Sequence, residues 1–242
     1  MHKNSQTYVC TPTLSLHAIY GIIPHMETNR KAMALSVMPF ATWMALMFAL
    51  PPTALSYALR SAATLTVGIA CLAMWRTGGA SAQVPRRRSC SASIAIGLVA
   101  GAAVCALWIS LPSWPLPEPI AQTPPPYAPQ TCGWPLTIAK LAGSAFVIAP
   151  VEEVFFRSFL YRWLIRRDFL SVPLSRFDLS AFLWTVLLFT LEHDRPIAAA
   201  TTGVIYGLLA IRFGLGSAIA AHISTNLLLA LHVIIRNAWQ FW

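Results

Sequence analysis

The sequence is short of charge, and of negative charge above all. Only 10% of its 242 residues are charged and only eight are acidic, whereas a soluble domain carries about a quarter charged residues. So few cannot cover a water-facing surface, which excludes an ordinary soluble enzyme or binding domain. The five cysteines (Cys10, Cys71, Cys90, Cys105, Cys132) make no CxxC pair and no framework. Three lie in or beside apolar runs, where a thiol serves as a small hydrophobe, so structural disulfides and thiolate zinc sites are not expected. There is no HExxH pair, no internal repeat, and no compact apolar stretch with a cleavage site at the N-terminus.

What fills the chain instead is apolar: 57% hydrophobic residues and a mean hydropathy of +0.61. At about 20 apolar residues per crossing, this length suits six to eight spans. The expected fold is all-α, a polytopic transmembrane helix bundle of about seven spans. Residues 1–32 are mixed polar and read as a tail, disordered or upstream of the true start, because Met33 opens the first apolar run. Residues 33–242 then form one transmembrane domain with a core at about 135–235. The seven runs are about 33–50, 54–75, 92–111, 135–166, 179–193, 196–212 and 215–235.

The net charge of +9 comes in short basic runs between apolar blocks, such as Arg86-Arg87-Arg88 and Arg166-Arg167. That is the placement of cytoplasmic loops, so the expected partner is a lipid bilayer and not a nucleic acid. The connector from Pro112 to Trp134 is proline-rich and has no Lys or Arg. It reads as extended chain on the opposite side, with the N-terminus inside and the C-terminus outside.

Three patches put polar groups where lipid penalises them. Glu152-Glu153 follows an unbroken apolar approach, and each carboxylate at a helix centre costs about 2.5–3.5 kcal/mol on insertion scales. Glu153 and Arg157 are four apart and can pair on one helix face. Glu152, rotated about 100° away, is left to face a cavity as a candidate general base. The second patch is Phe189 to His193, again four apart, with an imidazole able to share a proton with a carboxylate. The third is His222 to Asn226, two side chains on one helix face that can donate hydrogen bonds to an oxyanion. The bland readings are a helix end balancing arginines, an interfacial turn at His193, and interhelical glue at His222 and Asn226.

In order, these patches read EExxxR, FxxxH and HxxxN. They resemble the signatures of the CPBP family of membrane proteases, related to the eukaryotic CAAX prenyl endopeptidase and to bacterial bacteriocin-processing and self-immunity (Abi) proteins. The resemblance covers about Ala145 to Leu229. It implies an intramembrane endopeptidase of a membrane-associated protein or peptide, with Glu152 and His193 activating water, His222 and Asn226 forming the oxyanion hole, Glu153 and Arg157 as support, and no cofactor. The opening block and the proline-rich connector look similar to bacterial CAAX protease-related proteins linked to exosortase-type sorting, which places the chain in a bacterial cytoplasmic membrane. Two alternatives stay open: a zinc protease with Glu152, His193 and His222 as ligands, and a non-catalytic immunity or peptide-binding factor.

Overall fold

The protein is described by a computed structural model covering residues 16–77, 91–117 and 124–242. It is all-helical, with no strand among the described residues. Seven principal helices follow one another: α1 (Leu16–Ala49), α2 (Ala54–Thr77), α3 (Ser91–Ser110), α4 (Trp134–Ile165), α5 (Leu179–Leu191), α6 (Pro196–Phe213) and α7 (Leu215–Arg236). Cys10, Cys90 and the Arg86–Arg88 run lie outside the described residues, as does 118–123 of the connector.

Six of these helices are long and apolar enough to cross a membrane; α5, with 13 residues, is not. At about 1.5 Å per residue it rises about 20 Å, short of a hydrocarbon core of about 30 Å. The expected seventh span is thus the short arm of a hairpin with α6. Large apolar side chains coat the outside, with Phe48 82% and Ile235 73% exposed. That distribution suits lipid as the solvent of an integral membrane protein.

Two expectations need correction. Residues 16–32 belong to α1, which begins 17 residues before Met33; hydropathy marks only the part of a helix that lipid surrounds, whereas hydrogen bonding carries the helix further. The connector is not extended where it is described. It turns at Pro125–Ala128 and forms a one-turn helix at Pro129–Cys132, because Tyr127 packs into a buried cluster with Trp43 and Tyr57.

The ends of the helices define two faces. Asn29 on α1 donates to the carbonyl of Arg167 just beyond α4 (2.8 Å), so the start of α1 and the end of α4 share what we call the arginine face. At the other end, the Arg195 guanidinium in the α5–α6 turn donates to the carbonyl of Leu111 (2.6 Å), just past α3. The Trp242 and Tyr127 rings meet there too, at 6.3 Å. This is the connector face.

The closest packing is between α3 and α7, which run parallel. A Cβ at Gly97 would collide with the carbonyl oxygen of Ser217, and one at Gly101 with that of Ala221. Gly97-xxx-Gly101 therefore meets Ser217-xxx-Ala221 backbone to backbone, the small-residue contact that lets membrane helices approach. The approach is tied by Thr225, whose hydroxyl donates to the Gly101 carbonyl (2.8 Å), and by Ser224, which donates to that of Leu98 (3.0 Å). Gly101→Val should lower the detergent melting temperature, since overpacking costs about 1–3 kcal/mol, and should move the His222–Asn226 face. Gly68→Ala is the control: a Cβ there meets nothing within 4 Å, and replacing a helical glycine by alanine stabilises by about 0.5–1 kcal/mol. Equal melting of the two variants would refute the contact.

Candidate active site

Glu152 and Glu153 lie near the middle of α4, and the helix around them is unusual. It widens to i→i+5 bonding over Gly143–Ile148 and again over Val154–Leu160, with Ala149–Glu153 in ordinary α geometry between. Pro150 explains the first widening. It lacks an N–H and its ring crowds the preceding turn, so the helix gains a residue instead of breaking. The second has no proline, and we have no physical account of it.

The widened turn exposes an acceptor. The carbonyl of Ser144 takes the Ala149 N–H and also the side-chain amide of Asn226 on α7 (2.9 Å). One turn earlier on α7, His222 approaches both acids. Its Nδ1 lies 3.0 Å from Glu153 Oε1 and its Nε2 lies 3.8 Å from Glu152 Oε2. Glu153 is completely buried and also faces Arg157, Nε to Oε2 3.4 Å. The spacing-based pair is therefore present, and His222, 69 residues away, joins it as a second partner. Among the described residues Glu152 Oε2 has no hydrogen-bond partner.

His193 stands just beyond α5. Its Nδ1 lies 2.7 Å from the Phe189 carbonyl, a bond that makes Nδ1 the protonated nitrogen and leaves the Nε2 lone pair outward. The Phe189 and His193 rings are 4.6 Å apart. Phe189, fully buried, also lies under the Arg157 guanidinium at 4.4 Å. Burial pushes His193 well below the ordinary imidazole range, to about 4. Its neighbour Glu192, in the same turn, is pushed up to about 7 by burial.

Glu152, His193, His222 and Asn226 line one cavity of about 100 Å³. Trp108, Thr202, Tyr206 and Thr225 share its wall. The Tyr206 hydroxyl donates to Thr225 (2.6 Å), and its ring lies 5.0 Å from that of His222. Sequence reasoning missed Trp108, Thr202 and Tyr206, which fit no motif spacing. A fully buried tyrosine hydroxyl in an apolar helix was the one available signal. The arrangement supplies a hydrogen-bonded Glu153–His222 pair with the Glu152 carboxylate beside it, a second imidazole acceptor and an amide donor around a space that holds a few waters.

Glu152, His193 and His222, the ligands of the zinc alternative, line this same cavity, and among the described residues no three His, Cys, Asp or Glu are grouped closely enough to hold a metal ion as they stand.

Residues 134–228, which run from the start of α4 into α7, match the family model described as Type II CAAX prenyl endopeptidase Rce1-like. This part of the chain is similar to the CAAX protease family. Apart from Trp108, the residues that line the cavity up to Asn226 all lie within the match. No curated relative and no solved structure matches the chain. The matched region thus supplies α4, α5, α6 and the first part of α7, while α3 adds Trp108 to the cavity wall from outside it.

Proposed function

We propose that the protein is an intramembrane endopeptidase in which Glu152 and His193 activate water, while His222 and Asn226 hold the oxyanion. The observation that carries this reading is the single cavity lined by all four side chains. Water gives a proton to Glu152 or to His193 Nε2 as its oxygen attacks the peptide carbonyl carbon. The carbonyl oxygen takes the negative charge. When the C–N bond breaks, the same proton passes to the leaving amine, giving an amine and a carboxylic acid that then loses its remaining proton to solvent.

In this reading each helper has a task. Asn226 spends one amide hydrogen on Ser144 and has a second for the oxyanion. His222 turns Nδ1 to Glu153 at 3.0 Å and leaves Nε2, 3.8 Å from Glu152, on the cavity side. Glu153 and Arg157 hold that ring in place. The substrate is a peptide segment at membrane depth, because the cavity is walled by membrane helices.

Cleavage of a membrane-tethered reporter peptide by the purified protein tests the reading. Asn226→Ala should lower kcat by about 10²–10³-fold with KM little changed, the loss typical of one oxyanion donor. Full activity in strong chelator, with no gain from added Zn²⁺, is the expected metal-independent behaviour; loss on chelation and rescue by Zn²⁺ would reverse the assignment. The pH profile is informative in its sign. His193 must be neutral to accept a proton, and it becomes charged only as the pH falls through about 4. Cleavage should therefore persist below pH 6, and the His193-dependent limb should fall near 4. An inflection near 7 that disappears in Glu192→Gln belongs to Glu192. An acid limb at 6.5 unaffected by Glu192→Gln would refute the protonation assignment.

A further inference from the structure

The cavity is not central, and its position relative to the two faces carries a consequence for the substrate. Its half-exposed residues are Trp108, His193 and Asn226. Trp108 lies two residues before the end of α3, and His193 lies in the α5–α6 turn whose Arg195 reaches Leu111. Both belong to the connector face. In the opposite direction the cavity ends on Tyr206 and Phe189, both completely buried. Beyond them Arg157, Tyr161, Phe182 and Ile211 fill the bundle toward the arginine face, leaving a void of only about 10 Å³.

The faces differ in charge. Arg76 closes α2, Arg166 and Arg167 follow α4, Arg176 lies in the α4–α5 loop and Arg212 closes α6. The sequence joining α2 to α3 adds Arg86, Arg87 and Arg88. On the other side, residues 112–134 contain no Lys or Arg and Arg195 is buried, so Arg236 in the last turn of α7 is the exposed basic residue among the described residues there. Short loops rich in Arg remain cytoplasmic during membrane insertion.

We infer that the cavity opens to the non-cytoplasmic face, and that its substrate is a peptide segment presented from that half of the bilayer. Such a segment is the membrane-proximal stretch of an exported or membrane-anchored protein. The C-terminus of a cytosolic protein held on the inner surface would meet the packed end. The substrate part of this inference rests on the protease reading; the direction of opening does not.

Thiol labelling in sealed vesicles of both orientations tests it, with a charged, membrane-impermeant maleimide as the probe. The background is Cys10→Ser, Cys90→Ser, Cys132→Ser, which leaves only the buried Cys71 and Cys105, and uptake by the background is subtracted. Thr131→Cys marks the connector face and Ser175→Cys the arginine face, both at exposed positions. Trp108→Cys and the deeper Thr202→Cys report the cavity. The expected result is that Thr131→Cys, Trp108→Cys and Thr202→Cys react at least about tenfold faster in right-side-out vesicles, and Ser175→Cys in inside-out ones. The inference is overturned if both cavity cysteines follow Ser175→Cys, if they react equally slowly from both sides, or if the two marker positions exchange sides. Labelling needs no catalysis, so a failed protease reading and a wrong direction of opening give separate signatures.

Discussion

Glu152→Gln should insert, fold and bind substrate with KM near that of the unaltered protein, while kcat falls by about 10²–10⁴-fold, the usual contribution of a positioned general base. The change is almost isosteric and removes only the ability to accept the proton of the attacking water. Nothing in the packing opposes it. Glu152 Oε2 has no hydrogen-bond partner among the described residues, and His222 Nε2 lies 3.8 Å from it. Burying an amide instead of a carboxylate lowers the desolvation cost, so the variant should melt no lower than the parent. Equal kcat in the parent and Glu152→Gln, with the reporter still cleaved, would sink the catalytic assignment.

The same variant separates an enzyme from a binding factor. A protein that only holds a peptide in this cavity keeps its shape and its polar lining in Glu152→Gln, so its physiological effect survives. A protease with the cavity intact loses its effect altogether. The comparison gains force from Asn226→Ala, which removes a hydrogen-bond donor at the opposite wall of the cavity. Both variants should lose turnover while retaining affinity.

Much of this arrangement is legible in the sequence because lipid makes polar residues conspicuous. Glu152, Glu153, His193, His222 and Asn226 stand out against apolar runs, and i, i+4 spacing fixes which share a helix face. Helix limits from 91 onward follow hydropathy to within a residue or two. The rest depends on contacts between distant segments. The His222–Glu153 bond joins residues 69 apart, so helix spacing assigns Glu153 only to Arg157. Gly97 and Gly101 look like any small residues until Ser217 and Ala221 are set against them. Tyr127 pulls the proline-rich connector into a folded cap through tertiary packing, which overrides the extended preference of its prolines.

The largest loss of stability is expected from Arg157→Met. Glu153 and Arg157 are 0% and 2% exposed, and removing one member of a buried ion pair typically costs about 3–5 kcal/mol because the other charge remains without compensation. The pair here is not ideal. The separation is 3.4 Å and the guanidinium nitrogens make no hydrogen bond among the described residues, so part of its stabilisation comes from the Phe189 face at 4.4 Å. Methionine fills some of the volume but supplies no charge, leaving Glu153 with His222 alone. The double variant Arg157→Met, Glu153→Gln removes both charges, and it should recover most of the lost melting temperature, since glutamine Oε1 can still accept from His222 Nδ1. Catalysis should not recover with it. The carboxylate and guanidinium that set the His222 ring in place are both gone, so kcat should stay depressed while the fold returns. Recovery of both together would mean that Glu153 only stabilises the bundle, and its proposed hold on the oxyanion donor would fall.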